Sequence, residues 1–310
     1  MAKQDSQEKV AKEFIQQYLG EEESAVSEVE TTEATSKWQD LPLSYLPMGK
    51  LYHPGYRIEF RAAEVEEIQH FSTIENNNAY DIRNKLNDLL NACLRITLPN
   101  KKQGSYLDIK IGDRLYLIYT IRDITFQKGP MLTLPVKCSA KKCKHEFEIE
   151  LVRQHIEMQP EDDKVWSFYN SQYQAFIFNS TLNENPIVIT MPSIGIQESF
   201  RVWMEDKRYN EQQINDAYVK IAPYLINKSD LGIEGIEQFF ERFNQIANEE
   251  FQFLNDVINK FKNQDFKLGI KGLMKKCPTC GMEVRTTKIF PDRASDIFII
   301  PNAFERYLKK

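Results

Sequence analysis

The sequence predicts an α+β protein with a mixed N-terminal lobe, a small cysteine-anchored ribbon and a largely helical insertion. Three observations predict it. One cysteine pair lies in the turn Lys137-Cys-Ser-Ala-Lys-Lys-Cys-Lys144, between strand-like runs at 131–136 and 145–151. A second lies in Lys276-Cys-Pro-Thr-Cys-Gly-Met282, ahead of another strand-like run at 282–290. Between the pairs, apolar residues recur at helical spacing over much of the chain. With 310 residues, 42% of them hydrophobic, the chain is long enough to bury a sizeable core divided among two or three lobes.

Residues 1–40 read as an acidic tail, partly disordered. Val10, Phe14, Ile15 and Tyr18 allow a short amphipathic helix, but Glu21 to Glu33 has too few large apolar groups to fold alone. The mixed lobe spans 41–136. Its prolines and glycines extend Leu41 to Tyr56, and a strand follows at Arg57–Arg61. Val65, Ile68 and Phe71 share one helical face; Ile82, Leu86, Leu89, Leu90 and Cys93 share another, so two helices pack as a pair. Cys93 reads as a small core hydrophobe. The dense apolar run Leu115 to Ile121 fits a buried strand or a buried helix; helix is favoured, with Asp113 as its cap.

Residues 137–151 and 272–310 form the ribbon, and 152–271 the insertion. The insertion opens on an aromatic cluster of Trp166, Phe168, Tyr169, Tyr173, Phe176 and Phe178. A strand at 186–192 is bounded by prolines. Helices are then expected at 210–225 and 232–261, the second carrying Phe239, Phe240, Phe243, Phe251 and Phe253. A stripe at this spacing is more often core than interface, but this is more aromatic area than one helix usually hides, so any part left exposed would mark a subunit contact or self-association.

Together Cys138, Cys143, Cys277 and Cys280 have the composition of a closed four-thiolate site for structural Zn²⁺. With every ligand a cysteine, no position is left for an activated water. Gly281 can take the positive φ that turns backbone amides toward a sulfur. Three other readings stand beside this one. CxxC also serves as a redox dithiol, although that motif normally opens a helix and here a β-rich run follows. Two disulfides would suit an oxidising compartment, whereas the polar start Met1-Ala-Lys-Gln-Asp-Ser gives no secretory signal. His145 could replace one cysteine.

Composition limits the function classes. A net charge of −5 gives no global pull toward DNA, and no apolar run approaches the ~18 residues of a membrane span. Lys137, Lys141, Lys142 and Lys144, with Lys275, Lys276 and Arg285, would nonetheless form a local basic patch at the knuckles. Neutralising a zinc tetrathiolate, formally −2, would explain the same lysines. Nucleic-acid binding is therefore the alternative function, weakened by sparse aromatic residues near the cysteines. The chain shows no nucleotide-binding, zinc-protease or nucleophile-elbow motif. Its four histidines, at 53, 70, 145 and 155, form no acid–base constellation, and Glu161, Asp162 and Asp163 read as a polar loop. No catalysis is expected.

The order Leu46-Pro-x-Gly-x-x-Tyr52, short strand, Glu-rich helix, Gly112-Asp-Arg, apolar run to Ile121-Arg122 and cysteine pair carries a resemblance. Over roughly residues 41 to 151 the chain resembles the baseplate hub assembly and hub subunit family of T4-like contractile phages. The later Cys277-Pro-x-Cys280-Gly, Phe290 and Ile297-Phe-Ile-Ile300 resemble the end of longer members. The resemblance implies a non-catalytic viral tail protein bound to other baseplate or tail proteins, in the virion or the infected host cytoplasm. The chain departs from the family in its acidic tail, its aromatic-rich insertion and the four-residue gap within its first cysteine pair.

Overall fold

Alternation of Ile58 and Phe60 with Arg57 and Glu59 gives strand β2 (Arg57–Phe60) one apolar face, and this strand centres an antiparallel sheet with β1 (Gln39–Leu41) and β3 (Leu94–Thr97). The computed structural model describes residues 37–126, 130–158, 163–179, 186–210, 212, 216–225, 233–243, 248–263, 268–270, 273–286, 290–291 and 293–298. The expected tail therefore lies outside the described residues up to 36. Its boundary moves earlier than 40, because β1 pairs in the sheet and Trp38 packs under the guanidiniums of Arg61 and Arg95, 5.3 and 4.2 Å from its ring centre.

Helices α1 (Val65–Ser72) and α2 (Ala79–Cys93) connect β2 to β3 and pack on each other as expected. A reciprocal Glu64/Glu67 box starts α1, and the Asn78 side chain accepts from the Tyr80 and Asp81 amides to start α2. Val65 departs from the expected apolar face. It opens the first turn of α1 and is 69% exposed, while Phe71 on the last turn is buried. Helix α3 (Arg114–Thr125) resolves the ambiguous run: every residue from Leu117 to Arg122 is buried, so neither a period of two nor one of 3.6 stands out in the sequence.

Asp113 does not cap α3 with its side chain. The carboxylate turns inward, accepting from the Met48 amide at 2.8 Å and the Tyr52 hydroxyl at 2.7 Å. The Tyr52 oxygen in turn accepts from the Lys110 amide at 2.9 Å. The loop over 43–52 is thus fastened to the start of α3. Gly49 permits this loop its tight path, since a Cβ there would lie 1.8 Å from the Leu43 carbonyl oxygen.

Strands β4 (Leu132–Lys137) and β5 (Glu146–Leu151) form a hairpin whose root, Leu132, Leu134, Ile149 and Leu151, is buried in the main core. The chain then enters β6 (Ile156–Met158), which pairs antiparallel with β10 (Leu268–Ile270), so the way into the insertion and the way out are hydrogen-bonded together. From β10 it continues to a second hairpin, β11 (Leu273–Lys276) and β12 (Glu283–Thr286).

Inside the insertion, the short helix α4 (Asp163–Trp166) leads to a three-stranded antiparallel sheet of β7 (Tyr169–Asn170), β8 (Ala175–Phe178) and β9 (Ile187–Ile189). The predicted aromatic cluster forms here, Trp166 meeting Tyr169 and Phe176 at 4.8 and 5.4 Å between ring centres. Helix α5 (Ile194–Tyr209) was not expected from the sequence; Ser193 caps it by accepting from the Ile196 amide. Over the predicted helix at 210–225 the described residues give α6 (Asp216–Ile221) and a 3₁₀ turn over Ala222–Tyr224 holding Pro223, with 211 and 213–215 outside the described residues. Over the predicted helix 232–261 the structure gives α7 (Ile233–Phe243) and α8 (Asn248–Asn263), with 244–247 outside the described residues.

One hydrophobic cluster runs from Leu41 to Phe298 and takes residues from both the N-terminal segment and the insertion. The seam between them is bonded by backbone: the Ile111 amide donates to Pro192 and the Ile194 amide to Ile109. Residues 294–298, within the segment 272–310 expected to form the ribbon, pack on the helices of the N-terminal segment. A 3₁₀ turn over Ala294–Phe298 lies on α1 and α3, where Phe298 meets Phe71 at 4.9 Å. Arg122 holds it there: its buried guanidinium donates to the carbonyls of Ile297, Met131 and Pro130. Residues 299–310 lie outside the described residues.

Candidate metal centre

The tips of the two hairpins face each other, β5 against β11 and β4 against β12, and carry the four cysteines. The turns are built alike. In the first, the Cys138 amide donates to the His145 carbonyl at 2.8 Å and the Cys143 amide to Ala140 at 3.0 Å. In the second, the Cys277 amide donates to Met282 at 2.8 Å and the Gly281 amide to Cys277 at 2.9 Å. The residue after the second cysteine takes left-handed backbone in both, Lys144 at φ 47° and Gly281 at φ 72°. Gly281 therefore has the conformation expected of it; Lys144 adopts a similar one despite its side chain.

All four Sγ atoms lie within 4.8 Å of one another. The contacts cross between the pairs: Cys138 to Cys280 at 3.5 Å and Cys143 to Cys277 at 3.7 Å. Four thiolates around a tetrahedral ion with metal–sulfur bonds of ~2.3 Å would stand ~3.8 Å apart. The spacing fits such an ion. Two distant half-sites are thus brought together, residues 134 positions apart in the case of Cys143 and Cys277. Cys138 and Cys277 are buried, Cys143 half-buried and Cys280 exposed, while Val284 with Val136 and Phe147 forms a small apolar core beneath them.

Electrostatics favour a cation. Burial opposes ionisation of Cys277, yet amides of Cys280 and Thr279 and the Cys143 and Cys280 thiols point to its sulfur and bring it down to about 6. At Cys138 the Ala140 amide favours the thiolate, but burial and the three neighbouring sulfurs outweigh it and push this thiol up to about 12. Four thiols so close cannot all ionise by themselves. A divalent ion reverses that, deprotonating each ligand as it binds.

His145 is not a fifth candidate: it is exposed and stacks on Phe147 at 6.2 Å. Lys137 is paired with Glu146 at 2.9 Å, and Lys275 donates to the Glu148 carbonyl. Lys141, Lys142 and Lys144 are exposed, but so are Glu146, Glu148 and Glu150 along the adjoining strand. In the phenylalanine stripe, Phe239 and Phe240 are core residues, Phe240 stacking on Trp203 at 4.5 Å; Phe253 is 41% exposed, and the Phe243 side chain lies outside the described residues. Among the described residues no helix is long and apolar enough to cross a membrane. No protein-family model, curated protein or solved structure matches the chain.

Arg114 on α3, noted in the sequence only as part of Gly112-Asp-Arg, and Arg83 on α2, which sequence reading passed over, also meet in space beside an open cavity. They are 31 positions apart on separate helices, and no local spacing announces them.

Proposed function

We propose that this chain is a structural or assembly protein of a phage tail baseplate, acting through protein contacts, with Cys138, Cys143, Cys277 and Cys280 holding a structural Zn²⁺ in a ribbon. The observation that carries the reading is the closed ring of four sulfurs. A tetrahedral S₄ set suits zinc or iron, and a site with no ligand position open to water supports folding, not turnover. The baseplate assignment rests on the resemblance set out above. Its two motifs touch: Tyr52 of the Pro-Gly segment donates to Asp113 of Gly112-Asp-Arg. The contact is buried and fastens the Pro-Gly loop to the start of α3.

Metal analysis of the purified protein should give one zinc per chain and no iron charge-transfer absorption. Quantitative mass spectrometry of purified virions should find the polypeptide at a small fixed copy number. Abundance in infected cells with absence from particles would mean a transient assembly factor. Absence from assembling tails as well would overturn the reading.

The alternative, nucleic-acid binding by a zinc ribbon, draws on exposed Lys141, Lys142 and Lys144. The acidic row on β5 opposes it by repelling a phosphate backbone at the same hairpin. Binding that weakens steeply with salt and with K141E plus K142E would favour this alternative.

A further inference from the structure

A cavity of about 370 Å³ opens between α2, α3 and the first turn of α5. Leu86 and Ile118, both buried, form its floor, and half-buried Ile82, Ile111 and Leu115 its walls. Exposed Gln197 stands at the mouth. Arg83 and Arg114 line the same space. Arg114 is anchored by one bond, Nη2 to the Arg83 carbonyl at 3.1 Å, while its buried Nε has no hydrogen-bond partner. Neither guanidinium has an ion pair among the described residues.

The carboxylate whose charge reaches Arg114 is Glu198. It is already engaged by Arg201 at 2.7 Å and by the Asn87 amide at 3.5 Å. Burial lowers the Arg114 guanidinium from its ordinary range; Glu198 raises it, and neighbouring Arg83 lowers it again. Two like charges side by side, a buried donor without an acceptor and a wall of half-exposed aliphatic residues are each unfavourable. One ligand carrying both an anion and an apolar group would relieve all three. Arginine forks match a carboxylate in particular, through paired N–H donors.

We propose that this cavity binds the free carboxyl terminus of a partner polypeptide whose last residue is apolar. The α-carboxylate and the side chain leave the same Cα, so a single residue can face the arginines and the aliphatic floor together. The volume is at the small end of the ~300–1,000 Å³ typical of ligand pockets, which suits one residue. The open mouth lets the rest of the chain leave past Gln197. The site rests on the protein-contact reading above and specifies one of its contacts, but it is tested independently of baseplate assembly.

The test uses the full chain and fluorescent peptides of glycine and serine ending in leucine or phenylalanine, either as free acids or as amides, followed by polarisation. Free acids should bind saturably, and amidation should weaken them at least tenfold. Arg83→Met, which keeps the aliphatic stem, and Gln197→Glu, which sets a negative charge at the mouth, should each weaken the free acid at least fivefold and leave the amide unchanged. Unchanged thermal melting of both variants would exclude misfolding. Equal binding of acid and amide, no binding at millimolar peptide, or indifference to both substitutions would overturn the proposal. So would 3-phenylpropanoate binding as tightly as the peptide, since the site would then take small carboxylic acids. None of these outcomes bears on whether the protein enters a tail particle.

Discussion

At the scale of single residues, Asp113 shows how a side chain that looks like a helix cap is used to fasten a loop. It is fully buried, and burial drives its carboxyl up to about 7; the Tyr52 and Met48 hydrogen bonds and the Lys110 charge pull the other way without offsetting it. The unfolded chain gives up this proton near pH ~4. Between those values the folded state holds a proton that the unfolded state has lost. The contribution of Asp113 is therefore full below pH ~4 and falls away as pH rises through about 7. Denaturant titrations of wild type and Asp113→Asn should show their stability difference moving against wild type by up to ~4 kcal/mol over that window. A pH-independent difference would mean the carboxyl does not titrate there. The two left-handed knuckle residues make a second prediction. Lys144→Gly should stabilise the knuckle by about 1 kcal/mol, because glycine carries no Cβ penalty at φ 47°. Gly281→Ala should do the reverse and weaken metal retention in a chelator competition, through backbone strain alone, since a Cβ there meets nothing within 4 Å.

At the scale of elements, packing explains both what the sequence revealed and what it hid. Helix α2 was legible because its buried residues, Leu86, Leu89, Leu90 and Cys93, recur on one face and Asn78 marks its start. The ribbon hairpins were legible because cysteine spacing is a strong local signal and alternating residues flank it. Helix α5 was hidden by Gly195, a weak helix former three residues after Pro192, although Ser193 and the buried set Ile196, Phe200 and Trp203 were there to find. The phenylalanine stripe was legible as a helical face of the kind that more often enters a core, but its cover was not, because it comes from elsewhere: Trp203 and Phe200 of α5 lie against Phe240, at 4.5 and 6.0 Å. Phe240 is 8% exposed, so Phe240→Ala should cost about 3–5 kcal/mol by leaving a cavity beside Trp203. Trp203 fluorescence, followed through denaturant unfolding, reports on that contact directly. A loss under 1 kcal/mol would show that Phe240 contributes as surface and would return the stripe to the list of subunit contacts.

At the scale of the whole molecule, two devices tie the ends of the insertion together, and they differ in what they would lose with the metal. The four sulfurs join hairpins from distant parts of the chain, while the β6–β10 ladder closes the neck just inside them. Beyond the neck, backbone bonds at 109–111 and 192–194 and a shared hydrophobic cluster bind the insertion to the N-terminal segment. Structural zinc is worth on the order of 10–16 kcal/mol in peptides that have no other core. Here the tips alone would depend on a bound ion, since their small apolar patch is Val284 with Val136 and Phe147, whereas the hairpin roots at Leu132, Leu151 and Leu273 are held by the main cluster. Stripping the metal with a strong chelator, or replacing Cys277 by Ser, should therefore unfold the knuckles at 137–146 and 276–283 and spare the helices. Hydrogen exchange should rise sharply in those two segments while the amides of α2 and α3 stay protected, and helical circular dichroism should change little. Loss of helix signal in step with metal release would show the opposite: that closing a loop of this length around one ion, not the shared core, keeps the two halves of the molecule folded as one.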